Sequence, residues 1–247
     1  NLVYISEDGE DNFLELFEIF GIPLSRVKKI TEPTQFSKII IPEPSIRLHD
    51  YYHLKYKNTV SRIIKNVPHT NRNKLYLSKK QRFNGRAIGE KFIENYFAKN
   101  GFEIIYPEDL DLRSFISKLK SCEVAVSTSG TSAHNAIFLE EFSHFICLNR
   151  SRHHHPLQIM IDEMRNLNVV YIEACLNIFK TNFSSGPFNL FPTKYLINYI
   201  KDNQLVKINF FEYSLSILST IYYVFYKLFL GKLIHILAKW KNSFKND

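Results

Sequence analysis

A length of 247 residues with 45% hydrophobic content suffices for the core of one large or two small domains. The formal charge of +8 suits an anionic partner such as a nucleotide or an acidic membrane face. No RNA-recognition, KH or zinc-finger signature accompanies it, and the aromatic residues fall at helix- or strand-core spacing, so nucleic acid is not expected as a partner.

The chain opens on Asn1 inside a strand-like run, without an initiator methionine, so further sequence is expected upstream; nothing here has the layout of a signal peptide. LVYIS reads as a strand, and DNFLELFEIFGI as a helix with an Asp at its start and Gly21 closing it. RVKKI and KIIIP read as two more strands, the second stopped by Pro42. Residues 50–73 are polar, helical only in their middle and poor in core anchors, which suits a linker.

From Lys74 strand and helix alternate clearly. KLYLS is a strand; Ile88, Phe92, Ile93, Tyr96 and Phe97 mark one face of a helix ended by Asn100-Gly101. FEIIYP, CEVAVS, HFICLN and VVYIEA are four further strands, separated by the amphipathic run Leu112, Phe115, Ile116, Leu119, by a helix after Ser132, and by LQIMIDEMRNL. Such alternation predicts a doubly wound parallel sheet covered by helices. Cys122, Cys147 and Cys175 lie far apart in or beside the apolar runs, which predicts buried, reduced thiols and a cytoplasmic setting.

In an open parallel sheet ligands bind where strand ends enter helices. VSTSGTSAHNAIF, residues 126–138, lies at one such end: Gly130 permits close backbone approach, and Ser127, Thr128, Ser129, Thr131 and Ser132 offer hydroxyls beside helix-start amides. That suits a phosphate or diphosphate, with helix capping as the ordinary alternative. Ser78, Lys79, Lys80, Arg82 and Arg86 follow another strand end, where cations reach the same anion or form a solvated loop. Neither a P-loop nor a three-glycine dinucleotide fingerprint is present.

The order KLYLSKK, RAIGE, GFEIIYPEDL, SFISKLKSCEVAVSTSGTSAHNAIF resembles glycosyltransferase family 61, especially its capsular polysaccharide biosynthesis members, over about residues 2–149. Its tyrosine-x-serine-arginine strand end matches Tyr76, Leu77 and Ser78, with Lys79 in the arginine's place. Arg86 and Glu90 fit its arginine-x-x-asparagine-glutamate helix, with Gly89 for the asparagine. Its histidine-glycine-alanine-glycine-leucine-threonine-asparagine motif aligns with Ser129 to Asn135, identical at Gly130 and Asn135, with Ser129 replacing the histidine and His134 a substitute in the same turn.

The resemblance implies an α/β, GT-B-like fold of two Rossmann-like parallel-sheet domains, the first incomplete, plus C-terminal helices. Residues 1–72 would be the end of an acceptor-side domain and a linker, 73–192 the nucleotide-sugar donor domain, and 193–247 a helical segment. It implies inverting sugar transfer from a nucleotide-sugar to a glycan or lipid-linked glycan, without an essential metal and with no other cofactor. The donor-binding candidates are Ser78, Lys79, Arg86, Glu90, Ser129, Gly130, Thr131, Ser132 and Asn135; His134, Glu108, His49 and Asp50 are candidates for the catalytic base. A polysaccharide pyruvyltransferase, or a non-catalytic relative serving as a scaffold, is the alternative; a serine hydrolase lacks its glycine-x-serine-x-glycine elbow.

The run His153 to Pro156 is not expected to hold a metal, because consecutive histidines do not converge on one centre and no Cys or Asp spacing completes a set. After Pro192 the composition changes. Tyr213 to Leu230 is apolar and aromatic but interrupted by Lys227, and Lys232, His235 and Lys239 oppose an arc containing Leu233, Ile236 and Trp240. That pattern suits a helix lying in the inner-leaflet surface, or one packed on the domains.

Overall fold

The computed structural model describes residues 2–4, 14–47, 50–79, 87–151, 153–179 and 186–230. Arg86, Lys80, Arg82, His49 and the basic helical pattern of residues 231–247 lie outside them. Strand β1 (Leu2–Tyr4) pairs in parallel with β2 (Val27–Lys29), with helix α1 (Leu14–Ile19) between them in the chain. Strands β3 (Ile46–Arg47) and β4 (Tyr51–Tyr52) form a short antiparallel pair before helix α2 (Leu54–Asn66).

The main sheet then follows: β5 (Asn73–Leu77), β6 (Ala87–Ile88), α3 (Glu90–Lys99), β7 (Glu103–Ile105), α4 (Leu112–Lys120), β8 (Cys122–Thr128), α5 (Thr131–His134), β9 (His144–Asn149), α6 (Pro156–Met164) and β10 (Asn168–Glu173). Strand β11 (Phe188–Asn189) and helices α7 (Lys194–Asp202) and α8 (Phe210–Phe225) close the described chain.

Five strands form one all-parallel sheet in the order β10-β9-β8-β5-β7. Both faces are covered, so the strands are near-continuous apolar runs rather than alternating ones. Leu75, Leu77, Ala125 and Phe145 bury one face with Phe115 and Leu119 of α4 and Ile161 of α6. Tyr76, Val126, Ile146 and Ile172 bury the other with Ile93 and Phe97 of α3 and Leu196 and Ile200 of α7. Each fully buried aliphatic side chain contributes about 1.5–3 kcal/mol. All three cysteines are buried.

Three expectations give way to tertiary context. KIIIP is not a strand: Ile40 and Ile41 are 79% and 82% exposed, in irregular backbone that pairs with no strand among the described residues. Ile88 belongs to β6, paired with β11, rather than to the helix that follows. The segment expected as a linker poor in anchors is mostly the thirteen-residue α2, in which Val60, Ile63 and Ile64 are buried, with Val67 just beyond its end.

That stripe, at helical spacing, packs on the outer side of the α4 and α6 layer: Ile63 and Val67 meet Ile19 and Ile116, while Val60 and Ile64 meet Met164. Glu15 of α1 also accepts hydrogen bonds from the Leu112 and Arg113 amides at the start of α4, both at 3.0 Å. Before β5 the described residues form the two-stranded pairs β1-β2 and β3-β4, and α1 and α2 lie against the helices of the main sheet.

Under β10, the Asp162 carboxylate accepts hydrogen bonds from the Tyr171 hydroxyl and from Gln158 Nε2 at 2.8 Å. Burial pushes this carboxyl up to about 6, against the pull of those two donors. The fold therefore binds the proton more tightly than the unfolded chain does. The stability contributed by this group is full below about pH 4, falls as pH rises, and is lost by about pH 6, a change of about 3 kcal/mol. Urea denaturation of Asp162→Asn should show a flatter dependence on pH across that window than the parent; parallel curves would mean that Asp162 titrates normally.

Candidate active site at the carboxyl edge of the sheet

The strand order reverses between β5 and β8, because the chain leaves β5 toward β7 on one side and returns to β8 on the other. Loops diverge at such a point and leave a crevice beyond the carboxyl ends of the strands, where ligands of doubly wound proteins bind. Ser78 and Lys79 follow β5 at this edge, Ser129 to Ser132 follow β8, and Arg150 follows β9.

Gly130 adopts φ +121°, a region open to glycine, and a methyl at this position would lie 2.4 Å from Nη2 of Arg150. The other face of the Arg150 guanidinium packs 4.2 Å from the centre of the Phe188 ring in β11. The cation is thus held between a bare backbone turn and an aromatic face, which fixes its planar fork. The Arg150 amide donates to Ser129 Oγ at 3.2 Å, and the Ser129 amide to the Leu148 carbonyl at 2.9 Å, so the loops after β8 and β9 are tied together.

Lys79 joins this field. Burial lowers its pKa, the Arg150 charge lowers it further, and Glu90 and Glu108 pull it back. Glu90 is buried, accepts from the Tyr76 hydroxyl at 2.9 Å and has its pKa raised chiefly by burial, with Lys79 and Arg150 acting the other way. Lys79 and Arg150, at the ends of separate strands, thus lie close enough to act on each other and on the buried Glu90 carboxyl group. An incoming dianion would relieve the mutual repulsion of Lys79 and Arg150.

The other candidates take varied places. Ser78 is fully buried and its hydroxyl donates to Glu94, which also accepts from Lys91 at 2.9 Å and Tyr106 at 3.3 Å; it braces the β5 end rather than presenting a hydroxyl. Thr131 is exposed, Ser132 is buried, and Asn135 Nδ2 donates to the Ser132 carbonyl at 3.2 Å. The helix expected after the motif is one α-turn followed by a 3-10 turn over Asn135–Phe138. So short a helix carries little macrodipole, and side-chain cations must supply most of the positive field.

Glu108 is exposed in the turn after β7, near enough for its charge to act on Lys79. His134 is half-buried with its ring edge-on to His155 at 4.7 Å, and Asp50 pairs with Arg47 at 3.4 Å. His154 meets the Tyr171 ring at 4.5 Å and the Asn149 side chain at 3.1 Å. Among the described residues no group of three or more His, Cys, Asp or Glu is placed to hold a metal ion.

Gly89, which departs from the resemblance, has a local cause: φ is +90°, and a methyl there would lie 2.2 Å from the Leu190 carbonyl oxygen. A polar cavity of about 550 Å³ lined by Arg72, Cys122 and His144 sits at the opposite, amino-terminal edge of the sheet, away from these cations.

Sequence reasoning missed Arg150. Its signal in the sequence is the one Lys79 also carries, a cation directly after an apolar strand.

Sheet order and site define a doubly wound α/β protein with a pair of cations at the carboxyl ends of strands beside its switch point. The Glycosyltransferase 61 family model matches residues 12–146, more than half of the chain, which therefore belongs to glycosyltransferase family 61. A glycosyltransferase takes a sugar donor and an acceptor. Arg150 lies just beyond the matched residues. No curated protein matches the chain.

Proposed function

We infer that the chain transfers a sugar from a nucleotide-sugar donor to a glycan or lipid-linked glycan of a capsular or other surface polysaccharide, in the cytoplasm, with inversion and without an essential metal. In this reading residues 73–192 bind the donor and residues 1–72 belong to the acceptor side of a GT-B arrangement. The observation that carries it is the pair of cations, Lys79 and Arg150, at the switch point beside the Gly130 turn.

Sugar transfer breaks the bond between the anomeric carbon and a phosphate oxygen while the acceptor oxygen bonds to that carbon. The bonding pair leaves with the nucleoside diphosphate, and the acceptor's proton goes to a base. Preorganised cations lower the barrier by meeting the charge that builds on the leaving oxygen. Lys79 and Arg150 are placed for that task, with Glu90 and Phe188 holding them. On position, Glu108 is the stronger base candidate: it is exposed at the same edge, whereas the His134 ring is packed on His155.

Thermal denaturation with a panel of nucleotide-sugars, inorganic pyrophosphate and phosphoenolpyruvate tests the assignment. One nucleotide-sugar class at a hundred times its dissociation constant should add about 2.7 kcal/mol, or roughly 5–10 °C for a chain of this size. Lys79→Ala should lose most of that gain. Equal gains in both proteins would remove Lys79 from the site; a response to phosphoenolpyruvate alone would point to pyruvyl transfer, and none at all to a non-catalytic scaffold.

A further inference from the structure

Helix α8 faces the wrong way for a helix packed on a soluble domain. Its polar side points inward: Ser216 is fully buried, the Thr220 hydroxyl accepts from Asn189 Nδ2 at 3.1 Å, and Glu212 pairs with Lys99 at 3.0 Å. Its outward side is apolar except at Ser214, and stays apolar through the π-helical turn that follows over Tyr226–Leu230. At 100° per residue, Phe210, Phe211, Leu218, Ile221, Phe225 and Phe229 fall within one arc of about 100°. All six are exposed, Phe210 at 87% and Leu218 at 60%. A contiguous patch of this kind marks an interaction surface.

Charge identifies the occupant. At the start of α8 an apolar cleft of about 360 Å³, lined by Ile197, Ile208 and Phe210, also carries Lys201 and Lys207. At the other end the π-helical turn carries Lys227, and the sequence beyond it, residues 231–247, is basic in composition. Lysines thus bracket the apolar face at both ends. A second copy stacked on it would set these cations against themselves, whereas an anionic lipid headgroup layer meets both the cations and the aromatic side chains.

We propose that the outward face of α8 is a docking surface for an anionic lipid bilayer, with the helix lying in the interface. No helix among the described residues is long and apolar enough to cross a membrane. This surface is independent of the transferase reading, so vesicle binding and donor binding can each fail while the other stands.

The test is flotation of the full chain with vesicles of phosphatidylcholine alone and of equal parts phosphatidylcholine and phosphatidylglycerol, with light scattering to report oligomeric state. The parent should float with the anionic vesicles and less so as salt is raised. Leu218→Glu combined with Phe225→Glu, both at exposed positions, should keep the parent's melting temperature and lower the partition on the order of tenfold or more. Lys201→Glu combined with Lys207→Glu should lower binding to anionic vesicles by a similar factor, about fivefold per lysine, and leave neutral vesicles unaffected. Two results would overturn the proposal: failure of the parent to float with either vesicle, or undiminished flotation of the Leu218, Phe225 double variant. A parent dimer that this variant converts to a monomer, without vesicle binding, would assign the face to self-association instead.

Discussion

Replacing Arg150 with alanine should cut kcat/KM about 10²- to 10³-fold, which corresponds to about 2.7–4 kcal/mol of lost transition-state stabilisation. The guanidinium is packed against Phe188 and seated on the Gly130 turn, so in the proposed reaction it would meet the leaving group without reorganising. Most of the loss should fall on kcat, because charge on the leaving oxygen is greatest in the transition state. Arg150→Lys should recover only part of the activity, since an ammonium cannot both lie flat on the ring and present a two-pronged donor. The check is steady-state kinetics with the donor class found by thermal denaturation. A variant within about threefold of the parent, far short of a typical oxyanion-site loss, would take Arg150 out of the reaction.

Arg165→Ala should destabilise the chain by about 3–4 kcal/mol. Only 2% exposed, Arg165 donates through Nε and Nη2 to the Leu139 carbonyl at 3.1 and 2.8 Å, and through Nη1 to Ser61 Oγ at 2.9 Å. It thereby joins α2 to the turn before β9. Alanine would leave the buried Leu139 carbonyl and the half-buried Ser61 hydroxyl without these donors and open a cavity as well. Methionine would fill much of the space and restore none of the hydrogen bonds, so Arg165→Met should lie between alanine and the parent. Urea denaturation reads both, with an unchanged slope expected if the unfolded state is unaffected. A loss below about 1 kcal/mol for alanine would show that α2 is held by its apolar stripe alone.

What could be read from residue order alone follows from where burial is two-sided. The five strands of the main sheet are apolar runs, three of them cut off by Ser or Pro, and their helices carry clear stripes, so both were legible. KIIIP has the same appearance and no partner strand, and pairing is a tertiary fact that no local pattern contains. For α2 the misreading was one of weight: four apolar residues among many Lys and Asn side chains still make a continuous face.

The site divides similarly. Lys79 and Gly130 were legible as strand-end residues, and Glu90 through the family's helix motif. The commitment of Ser78 to Glu94 was not legible, nor was the convergence of Arg150 with Phe188, because each depends on how distant segments meet.

Strand β11 is only two residues long, and each has a different neighbour. Phe188 forms the floor beneath the Arg150 guanidinium, while Asn189 reaches Thr220 on α8. A single peptide link therefore separates the anchor of the outermost helix from the ring that sets the height of the cation. Thr220→Val would remove the hydrogen bond between Asn189 and α8 while leaving the Phe188 ring and the Arg150 side chain unaltered in composition.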